Sequence, residues 1–161
     1  MAQLLIVYHS KTGGSRQMAE AAEDAARSET ATRLIQAAEA GPSDLLAADG
    51  YLFCAPEKLA AIAGVMKDFF DRCYYPVLGK IEGRPYAQMI CAGSDGENAA
   101  RQTARIAQGW RLREVQPPLI VCTHAQTPEA ILAEKVISEE QLLRCRELGG
   151  AMGAGICMGV F

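Results

Sequence analysis

Leu4-Leu-Ile-Val-Tyr8 is an uninterrupted apolar run that empties directly into His9-Ser-Lys-Thr-Gly-Gly-Ser15. A strand with one wet face alternates apolar and polar residues, so a continuous run reads as a strand covered on both sides, as in a parallel sheet. Residues 16–27 then read as a helix, with Met18, Ala22 and Ala25 or Ala26 as its buried stripe, small enough for close packing on a sheet. The same alternation continues down the chain. Residues 30–37 suggest a half-exposed strand, and Pro42-Ser43 start a short helix. Tyr51-Leu-Phe-Cys54 reads as a buried strand after the Asp49-Gly50 turn, and residues 62–72 as a helix with Ile62, Val65, Met66, Phe69 and Phe70 at core spacing. Residues 86–91 form a fourth strand and 97–109 a helix, and 110–122 hold a fifth strand interrupted by Pro117-Pro118. Thr127-Pro128 places an N-cap before a first-turn proline. Ser138-Glu-Glu-Gln141 has capping-box spacing. Leu142, Cys145, Leu148, Met152 and Ile156 trace a final helical stripe.

Strand and helix in alternation predict an α/β domain, a parallel sheet with helices on both faces. The 161 residues suit one domain, 1–161. Ligands of such sheets sit beyond the carboxyl ends of the strands, which directs attention to residues 9–15, 54–61, 92–98 and 123–127. A 50% apolar, 22% charged composition excludes a disordered chain, and a net charge of −3 argues against nucleic acid as a partner. No run approaches the roughly 20 apolar residues of a membrane span. The start, Met1-Ala2-Gln3-Leu4, lacks the features of a signal peptide, and six scattered cysteines read as reduced thiols. The expected location is the cytoplasm. With only His9 and His124 as histidines, and Cys122-Thr-His124 as their one close cysteine pairing, no metal site is expected.

The chemistry concentrates in Ser10-Lys11-Thr12-Gly13-Gly14-Ser15. Backbone N–H groups at a helix start, three hydroxyls and the positive end of the helix dipole make an anion site. The glycines let the backbone curl around an oxyanion. Neither G-x-G-x-x-G nor G-x-x-x-x-G-K-[ST] is present, which disfavours a dinucleotide fingerprint and a nucleoside-triphosphate loop. Ser10 and Arg16 have the C-x5-R spacing of small tyrosine phosphatases, but serine stands where the thiolate nucleophile is needed.

Ser10, Thr12, Gly13 and Ser15 match the [ST]-x-T-G-x-[ST] phosphate loop of the flavodoxin-like family. Ala48-Asp-Gly-Tyr-Leu-Phe-Cys-Ala-Pro56, followed at fixed spacing by Gly64-Val-Met-Lys-Asp-Phe-Phe-Asp-Arg72, resembles that family's NAD(P)H-dependent FMN and quinone reductases. Ala92-Gly-Ser-Asp-Gly96 is a third, weaker match to the family's flavin loop. The resemblance covers roughly residues 3–110. It implies a flavodoxin-like three-layer α/β/α fold, with a five-stranded parallel sheet in the order 2-1-3-4-5. It also implies FMN as cofactor, its phosphate held by Ser10 to Ser15. The ring would be flanked by Pro56, Glu57, Lys58, Leu59 and Ala60 on one side and by Ala92, Gly93, Ser94, Asp95 and Gly96 on the other. Asp71 and Arg72 read as a structural polar pair at a helix end, and Lys67 as a solvated lysine.

Where the family commonly has aromatics after Pro56, this chain has Glu57-Lys58-Leu59-Ala60, and no aromatic occurs in 54–61 or 92–98. That removes ring-on-ring packing worth about 0.5–1.5 kcal/mol per pair. Glu57 and Lys58 read either as an exposed ion pair at a loop tip or as charges acting on the flavin edge. The expected activity is electron transfer from NAD(P)H through FMN to a quinone or similar small acceptor. The alternative is a flavodoxin-like electron carrier, or a flavodoxin-shaped protein with weak or lost FMN binding. The Gly/Ala/Met-rich last helix and Tyr74-Tyr75 offer either a homodimer face or core packing.

Overall fold

The computed structural model describes residues 1–161. The first strand, β1 (Gln3–Tyr8), pairs in parallel on both edges, and both its faces are covered, so Leu4 to Val7 are buried. Its neighbours are β2 (Ala31–Gln36) and β3 (Gly50–Lys58). Beyond β3 lies β5 (Pro85–Ala92), every residue of which is buried. Two short strands, β6 (Arg113–Glu114) and β7 (Leu119–Cys122), both pair with β5 in parallel, at its start and its end respectively. They are one fifth strand in two pieces. Pro117 and Pro118 lie between them, and proline offers no ladder N–H. The expected five-strand parallel order is therefore present. An unexpected strand, β4 (Ala61–Ile62), folds back antiparallel on the end of β3.

Six helices cover the sheet: α1 (Gly14–Ala26), α2 (Pro42–Ala47), α3 (Gly64–Val77), α4 (Glu97–Gly109), α5 (Pro128–Leu132) and α6 (Glu139–Met158). Side chains alternate across each strand, so the sheet feeds two cores. Leu5, Val7, Tyr51 and Phe53 face α3 and α4, where six of the ten aromatics gather. Phe53 is the hub: its ring centroid lies 5.2 Å from Phe70 and 5.9 Å from Tyr51. Leu4, Ile6, Leu52 and Cys54 face α1 and α6, where the packing residues are small. Six aromatics are thus committed to one face of the sheet, and none stands in 54–61 or 92–98.

α6 lies so close to α1 that a Cβ on Gly149 would stand 2.1 Å from the Ala22 carbonyl oxygen. The small residues of α6 thus serve core packing against α1. Tyr74 and Tyr75 fall inside α3, which runs five residues beyond its expected end, and their rings stack at 5.2 Å with Tyr75 exposed. Asp71 and Arg72 do not pair with each other. Asp71 meets Lys67 at 2.6 Å and Arg72 meets Asp68 at 2.7 Å, each one helical turn apart. Arg72 also donates to the Ala37 and Ala40 carbonyls, tying α3 to the segment after β2. Thr127 caps α5 and Ser138 caps α6, each accepting a backbone N–H, but the capping box expected at Ser138 is half made, because the Gln141 side chain accepts from Arg144 instead of the Ser138 N–H. No helix is long and apolar enough to cross a membrane.

Candidate functional site

All parallel strands end on one edge, and the chain order reverses between β1 and β3, since β2 lies on one side of β1 and β3 on the other. A crevice opens at such a reversal. The loop after β1 lines a cleft of about 460 Å³ with Tyr8, Gln36, Arg16 and Leu132.

Helical hydrogen bonding in α1 begins only at the Gln17 N–H, which donates to Gly13 O. The N–H groups of Lys11, Thr12, Gly14, Ser15 and Arg16 donate to no carbonyl or side chain. Ser10 Oγ accepts from the Gly13 N–H at 3.0 Å, which fixes the turn and leaves its own hydrogen free. Ser15 Oγ is buried without any partner. An orphaned buried hydroxyl beside a helix start is costly unless something occupies the site. Two glycines make this shape possible. Gly13 has φ of +92°, and a Cβ on Gly14 would stand 2.6 Å from Cys91 Sγ.

A second wall comes from the chain between α5 and α6, about 120 residues away in sequence. The Lys135 N–H donates to Thr12 O at 2.8 Å. Gln17 clamps this segment from both sides, donating to Lys135 O at 2.6 Å and accepting from the Ile137 N–H at 3.0 Å. Arg16 reaches Glu134 at 3.3 Å. Nothing local in the sequence marks Gln17, Glu134 or Lys135, because their partners are fixed only by tertiary packing. Tyr8 was visible only as a strand end, and it supplies an aromatic wall of the cleft.

The segment expected as a flanking loop, Pro56 to Ala60, is a tight hairpin. Pro56, Glu57 and Lys58 belong to β3, and Leu59 and Ala60 form a two-residue turn with φ of +51° and +61°. Positive φ at both positions matches the right-handed twist of paired strands. Leu59 is fully exposed at the tip. Glu57 and Lys58 form no ion pair. The Glu57 carboxylate turns inward and accepts from the Gly96 N–H at 2.9 Å and the Ala99 N–H at 3.3 Å, capping α4 from another element. Asn98 donates to the Ala60 carbonyl and Gln102 accepts from the Ile62 N–H, so the hairpin is fastened to α4. Replacing Glu57 with Ala should cost about 1 kcal/mol, the usual value of a lost N-cap, and lower Tm by about 2–4 °C in calorimetry. An unchanged Tm would show that the cap contributes nothing.

The other flanking segment is pinned as well. Ala92 O accepts from the Thr123 N–H at 2.8 Å, and a Cβ on Gly93 would meet the Ala125 oxygen at 3.2 Å. Ser94 and Asp95 are exposed, Asp95 O faces Cys122 Sγ, and Gly96 is the N-cap of α4. All six cysteines are free. Burial pushes the Cys91 and Cys145 thiols up to about 11, so neither is a ready thiolate at neutral pH.

Residues 36–126, more than half of the chain, match the NADPH-dependent FMN reductase family. The chain belongs to that family. A flavodoxin from Aquifex aeolicus (strain VF5) is 35% identical over 98 residues, which are 60% of this chain and 53% of that protein. The chain thus matches about half the length of this curated relative. The fold is that of flavodoxins. An archaeal flavodoxin superposes with a TM-score of 0.78 at 16% identity, covering 96% of this chain and 98% of that one. The two-electron reduced Megasphaera elsdenii flavodoxin gives 0.72 at 18% identity, covering 93% and 98%.

Family membership makes FMN the cofactor to fit to the site. The family match begins at residue 36 and leaves out the loop at 10–15, so the fit of a phosphate there is judged from the geometry of the loop. Five unpartnered N–H groups and the orphaned Ser15 hydroxyl are the donor set a phosphate needs.

Proposed function

We propose that this FMN-reductase-family protein carries electrons from NAD(P)H through FMN to a quinone or similar small acceptor. The observation that carries this reading is the unsatisfied donor set of residues 10–16 at the β1/β3 reversal. In it, the hydroxyls of Ser10, Thr12 and Ser15 and the free N–H groups of Lys11, Thr12, Gly14 and Ser15 hold the FMN phosphate, while Gly13, whose own N–H goes to Ser10, lets the loop turn. The hairpin Pro56–Ala60 and the segment Ala92–Gly96 bound the ring. Bound FMN supplies the acceptance of a hydride from the nicotinamide and the onward transfer of electrons. The protein's part is to bind and orient the cofactor. Glu57, by holding Gly96 and Ala99, keeps the two flanking segments at a fixed separation. With no aromatic on either segment, ring affinity is lower than a stacked site would give.

The test is direct. The purified protein is titrated with FMN and then mixed with NADPH or NADH under a quinone. Bound yellow flavin with nucleotide oxidation supports the reading, and a protein that stays colourless after titration overturns it. Retained FMN without nucleotide oxidation favours an electron carrier, the reading suggested by the flavodoxin names of its relatives.

His9 gives an independent probe of the phosphate position. It follows β1 directly, and burial, then Lys58 and Lys11, hold its pKa below the ordinary 6.5. The unfolded chain therefore takes up this proton more readily, and stability falls as pH drops through the ordinary histidine range. A phosphate dianion beside Lys11 offsets the repulsion. FMN is expected to raise the His9 pKa in an NMR titration. A His9 titration unmoved by FMN would place the phosphate elsewhere.

A further inference from the structure

The segment joining α5 and α6 makes a contact that loop closure alone does not require. Lys135 Nζ donates to Thr12 Oγ1 at 3.3 Å and is held by the Ile131 and Ala133 carbonyls at 2.9 and 2.6 Å. We propose that Lys135 is a positioning residue for phosphate recognition, which fixes the Thr12 hydroxyl as a donor to the anion and brings a positive charge beside it. This rests on the assignment of residues 10–15 as the phosphate site.

A lysine ammonium has three hydrogens and no lone pair, so it only donates. Its three acceptors here are two carbonyls and the Thr12 hydroxyl. The carbonyls hold the ammonium in place. Thr12 Oγ1 must accept from it, which leaves the single hydroxyl hydrogen to point elsewhere. That hydrogen has no acceptor in the protein. Ser10 is in the same condition, because its oxygen accepts from the Gly13 N–H and its hydrogen is free. With Ser15 unpartnered, all three hydroxyls of the loop have a hydrogen to give. A site that must reject neutral ligands and hold a dianion benefits from that bias, since charge-assisted bonds exceed neutral ones in strength. Of the other two cations at the loop, Arg16 is already engaged by Glu20 and Glu134, and Lys11 is exposed and donates to none of the three hydroxyls. Lys135 faces no carboxylate within ion-pair distance.

The side chain can be removed without removing the wall. The Lys135 backbone bonds to Thr12 O and Gln17 do not involve Nζ, so Lys135→Met should keep the segment in place. The experiment measures Kd for FMN and for riboflavin, which lacks the phosphate, by flavin fluorescence quenching. It uses wild type and K135M at low and physiological salt. K135M is expected to weaken FMN about tenfold, to leave riboflavin unchanged, and to flatten the salt dependence of FMN binding. Unchanged FMN affinity in K135M overturns the proposal, as does an equal loss for both ligands, which would mean a structural role only. A wild type that binds FMN no tighter than riboflavin removes the phosphate site itself, and the proposal with it. That failure is distinguishable because it appears before any substitution.

Discussion

Replacing Thr12 with Glu is expected to lower FMN affinity at least about a hundredfold while leaving riboflavin affinity near its wild-type value. One charge-assisted hydrogen bond to the phosphate is lost, worth about 1.5–3 kcal/mol, and a carboxylate is put against a dianion. The new carboxylate also lies beside Lys135, which donates to Thr12 Oγ1, and satisfies that ammonium in place of the phosphate. For the same reason the substitution should be nearly neutral for folding, within about 0.5 kcal/mol, as expected away from a packed core. Parallel fluorescence titrations with the two flavins and one calorimetric scan check all three statements. FMN affinity that survives T12E shows that residues 10–15 do not hold the phosphate.

The largest stability effect should come from the contact between α1 and α6. A Cβ on Gly149 meets the Ala22 backbone oxygen at 2.1 Å, and a backbone atom has no rotamer by which to retreat. Gly149→Val must push the helices apart, and overpacking of this kind costs about 3 kcal/mol, a Tm loss near 10 °C for a chain this long. The adjacent glycine is the control. A Cβ on Gly150 meets Ala25 Cβ at 3.8 Å, an ordinary contact. Gly150→Ala should therefore stabilise the protein by about 0.5–1 kcal/mol through helix propensity alone. If the two substitutions have equal effects in thermal denaturation, the close approach of α6 to α1 is not as described.

Much of the architecture was legible because its signals are local. The apolar run 4–8, the buried strand at 51–54 and the strand broken by Pro117-Pro118 each announce themselves within ten residues. Helix α4 was legible to the residue, since its stripe is regular and Gly96 and Gly109 bound it. The β4 hairpin was not. Leu59-Ala60 lacks the Asn-Gly or Gly-Gly signature of a two-residue turn, yet both residues take positive φ in a hairpin that α4 fastens on either side of the turn. Glu57 illustrates the same limit. Its neighbour Lys58 suggested an exposed ion pair, but the N-terminus of α4, some 40 residues on, offered two bare N–H groups.

The sequence by itself determined the parallel sheet, the order of strands and helices, and the loop with three hydroxyls and two glycines after the first strand. Hydrophobic periodicity and turn chemistry act over a few residues, and they suffice for that. Only the tertiary structure decided that Lys135 and Gln17 wall the loop, that Glu57 caps α4, and that six aromatics are spent under α3 and α4 rather than near a ligand. Those outcomes depend on which groups 40 to 120 residues apart are left without partners when the layers close, and burial compels such groups to find one another.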